Sequence, residues 1–186
     1  MGNYRIAYRY GTALLQSAEE AQQLEETARN AEMIAMTVRE SRELRRVLAS
    51  PVIEKEKKKR ILAELFERRI GSVMGRFLNL LSEKDREGLL LDIIEQFLYL
   101  FDEKRGILRV QVTSAVELTE SEQTRLKEQL KLYTGKEVIP SFRVDPSVLG
   151  GFVVHLDDRV IDASLAHQLN LLRDKFLEGT VASGQS

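Results

Sequence analysis

The chain has 186 residues, and its 28 Lys and Arg nearly balance its 29 Asp and Glu, for a formal net charge of -1. This balance disfavours a protein built to follow a nucleic-acid backbone, which usually carries a basic surplus. The absence of cysteine excludes disulfides, thiolate nucleophiles and Cys-based zinc sites. No apolar stretch approaches the roughly 20 residues that span a bilayer, and the N-terminus lacks the apolar core of a signal peptide. We therefore expect a soluble protein of the bacterial cytoplasm.

The first 105 residues carry a helical pattern of apolar residues throughout. The pattern divides into six stripes, and the residue before Pro51 disfavours helical dihedrals, which separates the third stripe from the fourth. Gly71 is predicted to end the fourth helix. Six helices with short joints predict an antiparallel, bundle-like domain over residues 1–105. The stripes begin at Ile6, Leu24, Leu44, Ile61, Val73 and Leu90.

The apolar period changes after Gly106, where residues 108–113 alternate as in a half-buried strand. Thr119 and Glu122 form a capping-box pattern that starts a helix, and Gly135 fits its end. Residues 138–144 alternate again, with Pro140 favouring a sheet edge or a bulge. A hairpin over 152–162 and a leucine-stepped helix follow. The predicted fold is mainly α, with a six-helix N-terminal bundle, a small α+β C-terminal domain (β-α-β-β-α) over 106–178 and a flexible tail over 179–186.

The glycine pair Gly150-Gly151 raises the possibility of a phosphate-binding loop. It lacks the Lys and Ser/Thr of a P-loop and the third glycine of a dinucleotide fingerprint. A phosphate cradle also needs a helix N-terminus directly after the loop, whereas a strand is predicted here. The sequence favours a structural role, in which glycine permits a tight turn or a close backbone approach.

The two histidines, His155 and His167, have no His or Cys neighbour at ligand spacing, so no metal site is predicted. Ser164, His167 and Asp162 lie close in sequence, but catalytic triads are assembled by geometry rather than by sequence proximity. We expect Asp162 or Ser164 to cap the last helix instead. Asp157-Asp158 is interpreted as a hairpin turn. No catalytic residue and no cofactor is predicted.

The basic run Lys55–Arg60 could contact nucleic acid or anionic lipid. Acidic residues flank and interrupt it, which is typical of a solvated helix face. The alternative function that it leaves open is a helical RNA-binding or regulatory adaptor.

Small and aromatic residues lie on or beside the first apolar stripe, at Tyr10, Gly11 and Ala13. Small residues let another helix approach closely, and an apolar groove between helices is a common site for an amphipathic partner helix. Internal packing explains the same residues equally well, so the sequence leaves both interpretations open.

Motifs along the whole chain resemble the delta subunit of F-type ATP synthases, the bacterial counterpart of the mitochondrial oligomycin-sensitivity-conferring protein. The most specific segment runs from Asp145 to Leu172, and its signature residues are Asp145, Pro146, Gly150, Gly151, Asp162 and Ser164. The other matching motifs are Tyr8-Arg9-Tyr10-Gly11-Thr12-Ala13-Leu14, Ser50-Pro51-Val52-Ile53, Phe77-Leu78-Asn79-Leu80-Leu81, Ile93-Ile94-Glu95-Gln96-Phe97 and Val112-Thr113-Ser114-Ala115.

The resemblance implies a non-catalytic stator subunit on the cytoplasmic side of the bacterial inner membrane, peripheral and not inserted. It implies a monomer within a hetero-oligomeric complex, which links the alpha/beta catalytic head to the b subunits so that rotor torque drives proton-coupled ATP synthesis. The N-terminal domain would bind the N-termini of the alpha subunits, and the C-terminal domain would bind the C-termini of the b subunits. The implied groove lies between the first and fifth helices, at Tyr10, Ala13, Leu14, Phe77, Leu80 and Leu81.

Overall fold

The computed structural model describes residues 2–156 and 159–169. The chain divides into two compact units, and the boundary along the sequence lies between Arg105 and Gly106. The predicted turn at Asp157-Asp158 and the predicted tail at 179–186 lie outside the described residues. Within the described part, no helix is long and apolar enough to cross a bilayer.

The N-terminal unit contains the six predicted helices, and a short 3₁₀ turn, Glu87–Leu89, precedes the sixth. The stripes predict these helices correctly because each one places its apolar residues on the face that the core covers. Their bounds are α1 Gly2–Glu20, α2 Leu24–Glu40, α3 Arg42–Ala49, α4 Lys55–Phe66, α5 Ser72–Glu83 and α6 Leu90–Lys104.

The packing of α1 against α6 is the most extensive helix contact of this unit. Gly11 of α1 is buried at this contact, where a Cβ atom would lie 3.0 Å from the backbone nitrogen of Phe97 and 3.3 Å from the carbonyl carbon of Gln96. The two helix backbones therefore approach as closely as a glycine allows. Leu14, Ile93 and Phe97 are at most 1% exposed in the surrounding core. For Gly11, the internal-packing interpretation is the one that the structure supports.

The joint between α4 and α5 differs from the prediction. Gly71 does not end α4, which stops at Phe66; it is the N-cap of α5. A Cβ atom on Gly71 would lie 2.5 Å from Oε1 of Glu26, so α2 packs closely against this joint. Gly71 instead has the extended dihedrals of an N-cap, φ -73° and ψ 170°.

The C-terminal unit contains a four-stranded sheet with the order β2-β1-β3-β4. The strands are β1 Ile107–Ser114, β2 Glu137–Val144, β3 Phe152–Leu156 and β4 Arg159–Asp162, and helix α7, Glu120–Thr134, connects β1 to β2. β1 and β2 are parallel, whereas β3 is antiparallel to both β1 and β4. Pro140 lies on β2 and pairs with Val110 of β1. β2 is an edge strand, which is one of the two positions that the sequence predicts for this proline. Residues 165–169 are helical and begin the predicted last helix.

One face of the sheet forms the core of this unit, together with Leu126 and Leu130 of α7. The opposite face carries Gln111, His155 and Arg143, which are exposed. His155 thus points away from its buried neighbours Val154 and Leu156. The mainly α fold class, with a C-terminal α+β part, is confirmed.

The predicted capping box forms at the start of α7. The Thr119 N–H donates to Glu122 Oε2 at 2.8 Å, and the Glu122 N–H donates to Thr119 Oγ1 at 3.4 Å. Gly135 ends the helix in a left-handed conformation, as the sequence predicts.

The contact at Gly11 predicts a difference between two glycine substitutions in the same unit. Gly11→Leu should destabilise the helical unit by about 2–3 kcal/mol, because the new side chain must displace the backbone of α6. Gly75→Leu on α5 introduces the same side chain where a Cβ atom meets nothing within 4 Å, and should gain up to about 1 kcal/mol of helix propensity. Urea unfolding of the full chain, followed by far-UV circular dichroism, measures both. Equal losses in the two variants would contradict this account of the α1–α6 contact.

Candidate partner-binding surfaces

The six residues implied for the groove between α1 and α5 divide into two groups. Leu14, Phe77 and Leu81 are 1%, 6% and 0% exposed, so they belong to the core of the helical unit. Leu80 is 40% exposed, and Ala13 is also at the surface. α1 and α5 pack against each other, so buried and exposed members lie on two neighbouring helices.

Tyr10 lies on α1 and is partly buried against the core of the helical unit. The guanidinium carbon of Arg9 lies 5.5 Å from the centre of the Tyr10 ring, within the range of a cation–π contact. Of the six residues, only Ala13, Leu80 and part of Tyr10 are therefore accessible to solvent.

The glycine pair has a structural role in the C-terminal unit. Gly150 and Gly151 have φ of +74° and +72°, a region that side chains rarely adopt. A Cβ atom on Gly151 would lie 2.3 Å from the carbonyl oxygen of Ala163, and one on Gly150 would lie 2.5 Å from Cδ1 of Leu165. β3 follows directly, as the sequence predicts. The close-approach interpretation accounts for both glycines.

The signature residues supply hydrogen-bond acceptors for the N–H groups at the start of the last helix. The Leu165 N–H donates to the Gly150 carbonyl at 3.2 Å, and the His167 N–H donates to Oγ of Ser164 at 3.2 Å. Ser164, 5% exposed, is thus the helix N-cap. Asp162 accepts from the Ser164 N–H at 2.9 Å, so the Ser-His-Asp sequence group makes capping hydrogen bonds. An anion would find these N–H groups already engaged.

The hydrogen bonds to Asp162 also change its acidity. The side-chain hydroxyl of Ser164, and then its backbone N–H, lower the pKa of the Asp162 carboxyl below its ordinary value. Asp145 follows the same pattern at the Pro146 turn: it accepts from Oγ and N of Ser147 at 2.7 and 3.0 Å, which lowers its pKa. Both carboxylates stabilise turns in their ionised form.

The basic run Lys55–Arg60 does not form one exposed cationic face. Lys55 Nζ donates to the Glu83 carbonyl at 2.8 Å, which caps the end of α5, and lies 3.6 Å from Asp85. Lys58 is only 9% exposed. The run therefore contributes partly to internal structure, and nothing in the described residues supports the RNA-binding alternative.

The sequence does not predict the groove between α4 and α5, which has a volume of about 310 Å³. Its one sequence signal is Gly75, a glycine in the first turn of α5 with no internal neighbour that requires it. In the described part of the chain, no cluster of three or more His, Cys, Asp or Glu could hold a metal ion.

Comparisons with known proteins agree in sequence and in fold. Residues 6–176 match the family model described as ATP synthase delta (OSCP) subunit. The chain is 41% identical over 177 residues to ATP synthase subunit delta of Chlorobium phaeovibrioides, covering 95% of this chain and 98% of that protein. It is 43% identical over 173 residues to the protein of the same name from Chlorobium luteolum, covering 93% and 96%. A chain in the Toxoplasma gondii mitochondrial ATP synthase hexamer is 20% identical and has a TM-score of 0.74, covering 92% of this chain and 97% of that chain, which shows a shared fold.

The contact at Gly151 predicts a graded effect of alanine substitutions in the C-terminal unit. Gly151→Ala should lose at least about 2 kcal/mol, because the methyl group clashes with the Ala163 carbonyl in addition to the left-handed strain. Gly135→Ala is the matched control: its φ is +67° and a Cβ atom there meets nothing within 4 Å. That variant should lose only about 1–2 kcal/mol of backbone strain. Unfolding of both variants by urea tests this, and equal losses would rule out the close approach as the reason for glycine.

The lowered pKa of Asp162 predicts a dependence of stability on pH. Because folding depresses this pKa, its contribution is full above the unfolded value of about 3.9 and is lost as the pH falls through the folded value. The difference in unfolding free energy between the parent chain and Asp162→Asn should therefore shrink below about pH 4. Urea unfolding across the acid range measures it. A difference that is constant with pH would contradict the assigned hydrogen bonds.

Proposed function

The chain belongs to the ATP synthase delta (OSCP) subunit family, whose members are structural, non-catalytic subunits of the peripheral stalk, and from this premise we propose that it is the stator connector between the catalytic head and the b subunits. Such a connector serves proton-coupled ATP synthesis mechanically. The rotor exerts torque on the head, and without a static tether the head would turn with the rotor. The role requires non-catalytic interfaces with a buried apolar centre and a polar rim.

We propose that the helical unit, residues 1–105, binds N-terminal segments of the alpha subunits at the surface between α1 and α5. The single observation that carries this proposal is the division of the six residues into exposed and core positions. Ala13, Leu80 and part of Tyr10 offer apolar surface, while Leu14 and Leu81 are buried in the core. Exposed small and leucine side chains on two helices that pack together suit the apolar face of an amphipathic helix.

The C-terminal unit would hold the C-terminal ends of the b subunits. Its support is the bracing of the signature segment, in which Gly150, Gly151 and Ser164 fix the start of the last helix to the sheet. A braced module suits a joint that transmits force without rearranging. The proposed location is the cytoplasmic face of the bacterial inner membrane, as a peripheral monomer within the hetero-oligomeric complex.

The groove between α1 and α5 predicts that Ala13→Glu weakens binding of a synthetic peptide with the N-terminal sequence of the organism's own alpha subunit. An unpaired carboxylate would have to be buried under the apolar face of the peptide, so a loss of at least about tenfold in affinity is expected. Isothermal titration calorimetry with the full chain provides the measurement.

Leu132→Glu provides the matched control, since Leu132 is 86% exposed on α7 in the other unit. It introduces the same charge and should leave the peptide affinity unchanged. If Ala13→Glu binds the peptide as tightly as the parent chain does, the groove is assigned to the wrong surface.

A further inference from the structure

The groove between α4 and α5 differs from the surface between α1 and α5 in its construction. Four apolar side chains line it, Leu62, Ala63, Ile70 and Leu78, together with two glycines and six polar or charged residues. Leu62 and Leu78 are 3% and 6% exposed, so they form a fixed floor, while Ala63 and Ile70 are partly accessible. The accessible apolar atoms of Ala63 and Ile70 favour an occupant that removes them from water.

Gly75 lies in the first turn of α5 and lines this groove. A glycine inside a helix costs up to about 1 kcal/mol relative to alanine, so a compensating reason is expected. Gly11 has one, because the backbone of α6 lies against it, but a Cβ atom on Gly75 would meet nothing within 4 Å. The space at Gly75 opens into the groove that it lines. A partner backbone could approach α5 there as closely as α6 approaches α1.

The groove is elongated rather than round, because its lining follows one face of each helix. Along α4 and its C-cap the lining residues span about 12 Å, and along α5 about 15 Å, which is two to three helical turns. Their spacing is that of a helical stripe. The positions are Lys59, Leu62, Ala63 and Glu67 on the first side, and Ser72, Gly75, Asn79 and Ser82 on the second.

The rim of the groove carries more positive than negative charge. Lys59 and Arg76 line it with Glu67 as the one carboxylate. Within the described residues, Lys59 and Arg76 are in none of the ion pairs, whereas nearby Lys55 is engaged with Asp85 and the Glu83 carbonyl. A surplus of positive charge beside the buried leucines complements an occupant with acidic residues next to its apolar ones.

We propose that the groove between α4 and α5 is a second docking site, which takes an amphipathic helix of two to three turns whose apolar stripe is flanked by Asp or Glu. The occupant would lay its stripe over Leu62, Ile70 and Leu78, approach α5 at Gly75, and place its carboxylates near Lys59 and Arg76. The inference does not depend on the stator role or on the surface between α1 and α5.

A pair of fluorescein-labelled helical peptides of about 14 residues tests the proposal, with leucines at i, i+3, i+4 and i+7. One peptide has glutamates beside the leucines, and the other has lysines at the same positions. Fluorescence anisotropy with the full chain should show saturable binding of the acidic peptide and at least tenfold weaker binding of the basic one. The double variant Lys59→Glu/Arg76→Glu should reverse that preference.

Gly75→Leu should place a side chain in the groove without loss of stability. It should therefore weaken binding of the acidic peptide at least tenfold. Ala13→Glu should leave its affinity unchanged. No saturable binding of the acidic peptide, or equal binding of both peptides, would overturn the proposal. A loss of affinity for the acidic peptide in Ala13→Glu would also overturn the proposal, because it would place the peptide between α1 and α5. If the chain alone is dimeric by light scattering and Gly75→Leu makes it monomeric, the occupant is a second copy and the proposed chemistry is wrong.

Discussion

The close approach of α1 to α6 at Gly11 is the constraint on which the helical unit depends. Because the two backbones touch there, the core residues of both helices, Leu14 and Phe97 among them, are fully covered. α5 packs against α1, α2 and α4, so it is connected to this contact through α1. Both candidate docking surfaces lie on α5, one on the side of α1 and one on the side of α4. A rigid frame lets these surfaces persist without a partner, which lowers the ordering cost of binding.

The most recognisable part of the sequence has a different role. Between Asp145 and Ser164, two requirements restrict which residues can be used. The backbone at Gly151 lies in contact with the backbone at Ala163, and the first N–H groups of the last helix need hydrogen-bond acceptors. Its carboxylates at Asp145 and Asp162 accept hydrogen bonds from Ser147 and Ser164. Such geometry is demanding, so it leaves a strong sequence signature without any ligand. Both proposed docking surfaces for partner helices lie on the less distinctive helical half.

The sequence predicts the elements of this fold well, because periodicity, the Thr119–Glu122 capping box and Pro140 are local signals with local causes. It does not predict which members of an apolar stripe stay exposed. Ala13 and Leu14 are adjacent, yet only the packing of neighbouring helices decides that one is at the surface and the other in the core. Gly71 is misassigned because a glycine near a helix boundary suits the end of one helix and the N-cap of the next, and here it is the N-cap of α5. The groove between α4 and α5 is a gap between elements, and Gly75 is its one sequence signal.

The edge position of β2 has a consequence for the chain before it meets its partners. An unpaired strand edge presents N–H and carbonyl groups on which a second copy could extend the sheet. Pro140 removes one donor from that strand, and Lys136 and Arg143 place charges beside it. A protein that is synthesised alone must remain dispersed until it is incorporated into a larger machine. An edge that is poor at pairing with itself protects the free chain from aggregation during that interval.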